Sequence, residues 1–152
     1  MKSILNLAGL LIIIYWTWSC KPQAKEWSGD ALEIYNARQV SNDALKAHNL
    51  DKELSLMTDS VQITTGNGTL IRGKDNLRIY ITTVPEQKMY WVRTPDYIEI
   101  NDEQGLAWEN GTWKGFHADK GPEPIAGGKY AAQWTRKDGM WKINSELFVK
   151  LN

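Results

Sequence analysis

Glu109 is the residue whose type and setting best suit general acid–base work. It lies between Trp108 and Asn110 in an aromatic-rich, strand-like run. If it faces inward, burial would raise its carboxyl towards neutrality, as a proton-transferring base requires. If it faces outward, it is an ordinary solvated glutamate, and the local pattern leaves both open because Trp108 and Trp113 fall on opposite rows. Tyr130, Trp134 and Ser145 lie on the two strand-like runs that follow. With Trp108 and Asn110 turned inward, the five would line a cavity of aromatic walls and a few polar anchors, the usual make-up of a small-molecule site. The competing reading is core filling, with the polar tips satisfied locally. His48 and His117 have no cysteine or paired acid at ligand spacing, so no metal site is expected. Asp59 reads as a turn-terminating residue. Thr65-Gly66-Asn67-Gly68 is too short for a phosphate cradle, and no nucleophile elbow or Ser-His-Asp pattern occurs. No cofactor is expected.

Cys20 is the only cysteine. It closes an uncharged stretch that begins at Ser3, follows Lys2 and centres on Leu-Ile-Ile-Ile-Tyr-Trp. A positive start and a short apolar run make a secretory signal. The ending Thr17-Trp18-Ser19-Cys20 resembles a bacterial lipobox, in which a peptidase cuts before a cysteine that carries lipid on its sulfur. That reading divides the chain into a signal peptide (1–19), a lipidated tether (20–29) and a domain (30–152), exported to the cell envelope and anchored to a membrane. An ordinary signal peptide or an uncleaved anchor would also carry the domain out of the cytoplasm. With the only thiol in the tether, the domain can form no internal disulfide and must be held by packing.

The 152 residues suit one domain, and 42 % hydrophobic with 24 % charged residues is ordinary globular usage. Eighteen basic residues balance eighteen acidic ones, so no field exists to recruit nucleic acid. Eight tryptophans are the unusual feature, five of them between Trp91 and Trp141. They imply large apolar surfaces on strands.

The elements that would position these residues follow from periodicity. Asp30 and Glu33 make a capping-box-like start to a helix. Ile34, Ala37, Ser41, Ala44 or Leu45, and His48 give it one packing stripe. Asn49-Leu50-Asp51 breaks it, and a second short helix runs to Met57. Val61-Gln-Ile-Thr-Thr65 is strand-like and stops at Gly66-Asn67-Gly68. Gly73 to Ile81 suits a third helix, ending before Pro85. The period then becomes two over 89–94, 97–100, 106–117, 129–137 and 140–151, with turns at Asn101–Gly105 and Lys137-Asp138-Gly139, and a loop from Ala118 to Gly128. Alternation puts Tyr130, Ala132, Trp134, Trp141, Ile143, Ser145 and Leu147 inside, and Lys142, Asn144 and Glu146 on the wetter row. Helices first and an antiparallel meander afterwards define an α+β domain with helices on one face of a curved sheet.

The pieces Asn49-Leu-Asp51 with Leu54 and Leu56, Thr58-Asp-Ser-Val61, Gly73-Lys74, Gly105-Leu-Ala107 with Gly111, Gly128-Lys-Tyr130 with Trp134, and Arg136-Lys-Asp-Gly-Met-Trp-Lys-Ile143 occur in an order that resembles the SnoaL-like branch of the nuclear transport factor 2-like superfamily. The resemblance runs from about Asp30 to Asn152. It implies a cone, a curved antiparallel sheet wrapped on about three N-terminal helices with a pocket at the wide end, and pairing through the outer sheet face into a homodimer. It does not imply one chemistry, because such folds serve isomerases, cyclases, dehydratases and non-catalytic association domains. Isomerase-like members carry an acid near the end of the first strand, where this chain has Ile63-Thr-Thr-Gly66. Cyclase-like members use an acid or histidine cluster in the last strand, where it has Lys142-Ile-Asn-Ser-Glu146. Three functions stay open: binding of a small, largely apolar molecule; proton-transfer catalysis through Glu109 or a tyrosine; and docking to a second copy or another envelope protein.

Overall fold

The computed structural model describes residues 26–83, 88–136 and 139–151. The signal segment, Cys20, most of the tether, Pro85 and the turn residues Lys137 and Asp138 lie outside them.

Helix α1 (Gly29–Lys46) is followed by α2 (Leu50–Ser55), strands β1 (Met57–Thr64) and β2 (Leu70–Arg72), and α3 (Lys74–Thr83). Four strands complete the chain: β3 (Met89–Asn101), β4 (Leu106–His117), β5 (Ala126–Thr135) and β6 (Lys142–Lys150). They form one sheet in the order β2-β1-β6-β5-β4-β3. Neighbours run antiparallel except β1 and β6, which are parallel. This is the expected α+β architecture, with helices on one face of the sheet. The apolar core between the layers is built from Ile34, Leu54, Met57, Val61, Ile63, Leu77, Ile98, Trp134 and Ile143, among others. Each such aliphatic side chain contributes about 1.5–3 kcal/mol by leaving water.

Several details differ from the sequence expectation. Ser28, not Asp30, is the N-cap of α1, and the Asp30 carboxylate instead receives Arg136 Nη1 at 2.6 Å. The buried stripe of α1 is Ile34, Arg38, Ser41, Asn42 and Ala44. His48 lies beyond the helix, exposed, with φ of 52°. The three residues of β2 are too few to show a period. The two runs 89–94 and 97–100 are one strand with a bulge, since Pro95 pairs with Gly111 and Tyr97 with Asn110, leaving Asp96 extra. That bulge is why position 111 is glycine: a Cβ there would stand 2.1 Å from the Thr94 carbonyl oxygen. The start of β5 takes in Gly127 and Gly128, and a Cβ at 128 would stand 1.9 Å from the Val149 oxygen.

The most consequential difference is in β6. Gln133 pairs with Ser145 and Trp134 with Ile143, so Asn144 is an extra residue. One inserted residue exchanges the two faces of everything that follows it. Ile143 is inside as expected, but Glu146 is buried at 4 % exposure while Leu147 is 49 % exposed. Ser145 and Leu147 therefore lie on the outer row, contrary to the alternation, and Glu146 on the inner one. Asn144 ties the bulge to both neighbours: Thr58 donates to its oxygen at 3.2 Å, and its amide donates to Gln133 at 2.8 Å.

Candidate functional site

The interior between the sheet and α1 holds a cluster of five buried charges: Arg38, Glu53, Arg93, Glu109 and Glu146. One turn after Ile34, the α1 stripe places Arg38 against the middle of the sheet. Its guanidinium lies against the rings of Tyr130 and Trp134, with Cζ 5.4 and 5.0 Å from their centroids. Arg38 Nε and Nη2 donate to the two carboxylate oxygens of Glu109, each at 2.9 Å. The Tyr130 hydroxyl donates to one of those oxygens and the Trp134 indole N–H to the other. The register explains the meeting. Glu109 lies opposite Ala132 on β5, so Tyr130 and Trp134, two residues either way, flank it on the same face. Arg38 Nη1 then lies 2.7 Å from Glu146 Oε1, which the β6 bulge has turned inward.

A second layer surrounds Arg93 of β3. The Asn42 side chain accepts from the Arg93 backbone N–H and from Nε, both at 3.0 Å, and donates to the Arg93 carbonyl at 2.8 Å. Arg93 Nη2 donates to Ser41 Oγ at 2.6 Å, and Ser41 lies 2.7 and 2.9 Å from the two oxygens of Glu53. Arg93 Nη1 is 3.5 Å from Glu53 Oε1 and 3.7 Å from Glu146 Oε1.

Burial works against the charge on Glu109, but the Arg38 guanidinium and the hydrogen bonds from Arg38, Tyr130 and Trp134 outweigh it, and the carboxyl is held below the usual range. Burial likewise opposes the charge on Arg38, and Glu109 and Glu146 together hold it protonated. Burial and the adjacent Glu109 charge push the Tyr130 hydroxyl far above its ordinary value, so it serves as a donor only. Glu109 thus has both oxygens occupied and its negative charge matched by Arg38. A general base needs a raised pKa and a free lone pair facing substrate. The geometry is that of a structural ion pair.

The candidate pocket residues are divided between the two sheet faces. Tyr130 (3 % exposed) and Trp134 (0 %) are inside with Glu109, packed against Arg38. Trp108 is 48 % exposed on the outer row, with Asn110 and Ser145 half-buried on that same face. These five residues therefore do not converge on one cavity. Trp108 instead edges an open groove of about 550 Å³, with Glu99, Asp102, Leu106 and Gln133. Two more open grooves, of about 530 and 510 Å³, lie beside α3 and at the start of β5. Glu109, Tyr130 and Trp134 line none of the three. His117 ends β4 and accepts from the Asp119 backbone N–H at 3.2 Å, and Asp59 is exposed and paired with Lys74 at 2.9 Å. Among the described residues no group of three or more His, Cys, Asp and Glu is arranged to hold a metal ion.

Sequence reasoning missed Arg38, Glu53, Arg93 and Glu146. The one available signal was in α1, where Ile34, Arg38, Ser41 and Asn42 share a helix face. A charged residue between an isoleucine and small polar residues is a candidate for a buried pair.

The bent sheet over three helices defines the class: an α+β cone with the nuclear transport factor 2-like, or cystatin-like, fold. An NTF2-like protein from Novosphingobium aromaticivorans is 10 % identical with a TM-score of 0.70, the match covering 81 % of this chain and 82 % of that one. A ketosteroid isomerase-like protein from Erwinia carotovora atroseptica is 13 % identical, TM-score 0.65, over 83 % of this chain and 99 % of that one. A Xanthomonas campestris protein, provisionally assigned as a calcium/calmodulin-dependent protein kinase II association domain, is 19 % identical, TM-score 0.66, over 82 % and 89 %. At such identities the likeness is one of fold, which agrees with the SnoaL-like resemblance of the sequence. No protein-family model and no curated protein sequence matches the chain.

Proposed function

We propose that this domain is an association module of the cell envelope, tethered through a lipid on Cys20 and pairing with a second copy of itself through the outer face of the sheet. The observation that carries this reading is the contrast between the faces. The inner face is filled by the Arg38–Glu109 cluster and the core. The outer face presents Tyr97, Trp108, Leu147 and Val149 at 44–49 % exposure, from three different strands. Polar Gln133, Asn110, Thr112 and Lys129 lie among and around them. Apolar residues ringed by polar ones are the composition of an interface, not of a solvated sheet. Five strands about 4.8 Å apart and roughly 30 Å long give a face on the order of 700 Å². That is close to the ~800 Å² each partner contributes to a stable complex. The Xanthomonas relative's assignment as an association domain points the same way.

A two-fold pairing brings the same residue of both copies near the axis. With Cys20 replaced by Ala, Leu147→Cys on β6 should form a disulfide-linked dimer under mild oxidation. Leu70→Cys, equally exposed but on the edge strand β2, should not. Linking by Leu70→Cys and not by Leu147→Cys would place the contact elsewhere. The anchor has its own test: Cys20→Ala should abolish labelling of the chain by radioactive fatty acid and leave the apolar N-terminal segment uncleaved, which mass spectrometry reads as a longer chain. Unchanged labelling would exclude Cys20 as the acylated residue.

Binding of a small, largely apolar molecule is the second reading, favoured by the open groove beside the Trp108 indole. A ligand retained in native mass spectrometry and released by Trp108→Ala would support it. Proton-transfer catalysis through Glu109 would require that carboxylate to leave Arg38, Tyr130 and Trp134, which makes it the least favoured of the three.

A further inference from the structure

The buried cluster does not balance. Glu53, Glu109 and Glu146 supply three potential negative charges, Arg38 and Arg93 two positive ones, and all five residues are at most 4 % exposed. They are all the buried charged residues among those described. An unmatched ion in a dry interior is strongly disfavoured, and the usual resolution is that a group takes up or gives off a proton. The distances say which group. Glu109 receives two guanidinium N–H bonds at 2.9 Å, and Glu146 Oε1 lies 2.7 Å from Arg38 Nη1, a close charge contact without an aligned hydrogen bond. The nearest cationic atom to Glu53 is Arg93 Nη1, which donates a long hydrogen bond of 3.5 Å to Oε1. Its close partner is a neutral hydroxyl, Ser41 Oγ, at 2.7 and 2.9 Å. That hydroxyl has two lone pairs. One takes the Arg93 Nη2 donor at 2.6 Å; the hydroxyl's own proton goes to a Glu53 oxygen, which leaves one lone pair for the acid proton on the other oxygen.

We propose that Glu53 is a proton-binding site in the folded protein, protonated and hydrogen-bonded to Ser41, and that losing this proton loosens α2 from the sheet. The elements packed against Glu53 pull in both directions: the Arg93 and Arg38 charges and the Ser41 hydrogen bond favour the carboxylate, and burial and the Glu146 charge favour the acid. Helix α1 brings Arg38, already committed to Glu109, and Ser41; β3 brings Arg93; β6 brings the like charge of Glu146. Strand β1 brings Asp59, which is exposed and paired with Lys74, and α3 places Arg78 on exposed Asp51 at 2.7 Å. Burial, the largest influence, raises the Glu53 carboxyl, and Arg93 and Ser41 offset it only in part. A proton bound more tightly by the folded than the unfolded chain contributes stability that is complete below the ordinary glutamate range and is lost as pH rises through the raised value. Above that value Glu53 must be hydrated or re-paired. Helix α2 has six residues, of which Glu53 and Leu54 are the buried ones, so it is the element that opens most readily.

The test uses the full chain in non-ionic detergent. Denaturant unfolding is followed from mildly acidic to alkaline pH, with infrared spectra of the folded protein over the same range. The wild type should lose stability as pH rises, the folding constant falling by up to about tenfold per pH unit while one proton is released. It should also show a carboxylic-acid carbonyl band that titrates away over that interval. Glu53→Gln copies the protonated form. It should fold, lack both the band and that slope, and match or exceed the wild type at the alkaline end. A wild type without the band anywhere in that pH range would overturn the proposal whatever the variant does. A band that survives in Glu53→Gln, or a Glu53→Gln chain that cannot fold, would overturn the assignment to Glu53.

Discussion

Replacing Arg38 by methionine is expected to destabilise the domain by about 3–5 kcal/mol, the cost of removing one partner from a buried ion pair. The side-chain volume and the contact with the Tyr130 and Trp134 rings are largely kept, so the loss isolates charge. Glu109 would be left with two neutral donors, and Glu146 without the cation 2.7 Å away. Against a typical total stability of about 5–15 kcal/mol, such a loss brings the domain near its unfolding threshold. The check is the denaturant midpoint at unchanged slope. Adding Glu109→Gln to Arg38→Met should recover part of the loss, because the second change removes the stranded charge. The double-mutant cycle measures that coupling. A cost below about 1 kcal/mol for Arg38→Met would mean that water reaches the cluster and that the interior is an open, solvated site. Acid should weaken the same pair. The Glu109 carboxyl is held below its ordinary value, so its contribution is present above the unfolded-state value and is lost as pH falls through the folded one.

The second large effect separates two tryptophans that the sequence set side by side. Trp134→Ala should cost about 3–5 kcal/mol, because the ring is fully buried and its removal leaves a cavity. It also takes one hydrogen bond from Glu109 and one ring from Arg38. Trp108→Ala, at a residue 48 % exposed, should change the stability of the dissociated chain by no more than about 0.5 kcal/mol. Its effect belongs to association. Thermal unfolding of both variants at low protein concentration makes the comparison, and equal losses would contradict the division of the two residues between opposite faces.

Periodicity was enough for the α+β class, the helices and the presence of the long strands, because long amphipathic elements repeat their signal, but it missed β2 and most strand limits. The span of β4, Leu106–His117, came out as read. What failed were single-residue events. The extra residue Asn144 turned Glu146 inward and Ser145 and Leu147 outward, and no composition rule marks a bulge whose residue is polar and unremarkable. The row containing Glu109 was left open because both rows of β4 carry a tryptophan. The structure separates them, Trp113 going inside and Trp108 outside. The cluster itself was illegible for a different reason. A buried charge is identified by its partner, and the partners of Arg38 lie 71 and 108 residues away in sequence. Placing Glu146 on the wetter row was the ordinary inference for a charged residue.

Pairing through the outer sheet face is the claim on which the function rests, and sedimentation of the chain from Lys21 onward, over a wide concentration range, tests it most directly. The prediction is a reversible dimer in the wild type, with Trp108→Arg remaining monomeric at every concentration and unfolding at the same denaturant midpoint as the dissociated wild type. A wild type that stays monomeric throughout, or a dimer that Trp108→Arg leaves intact, would contradict it.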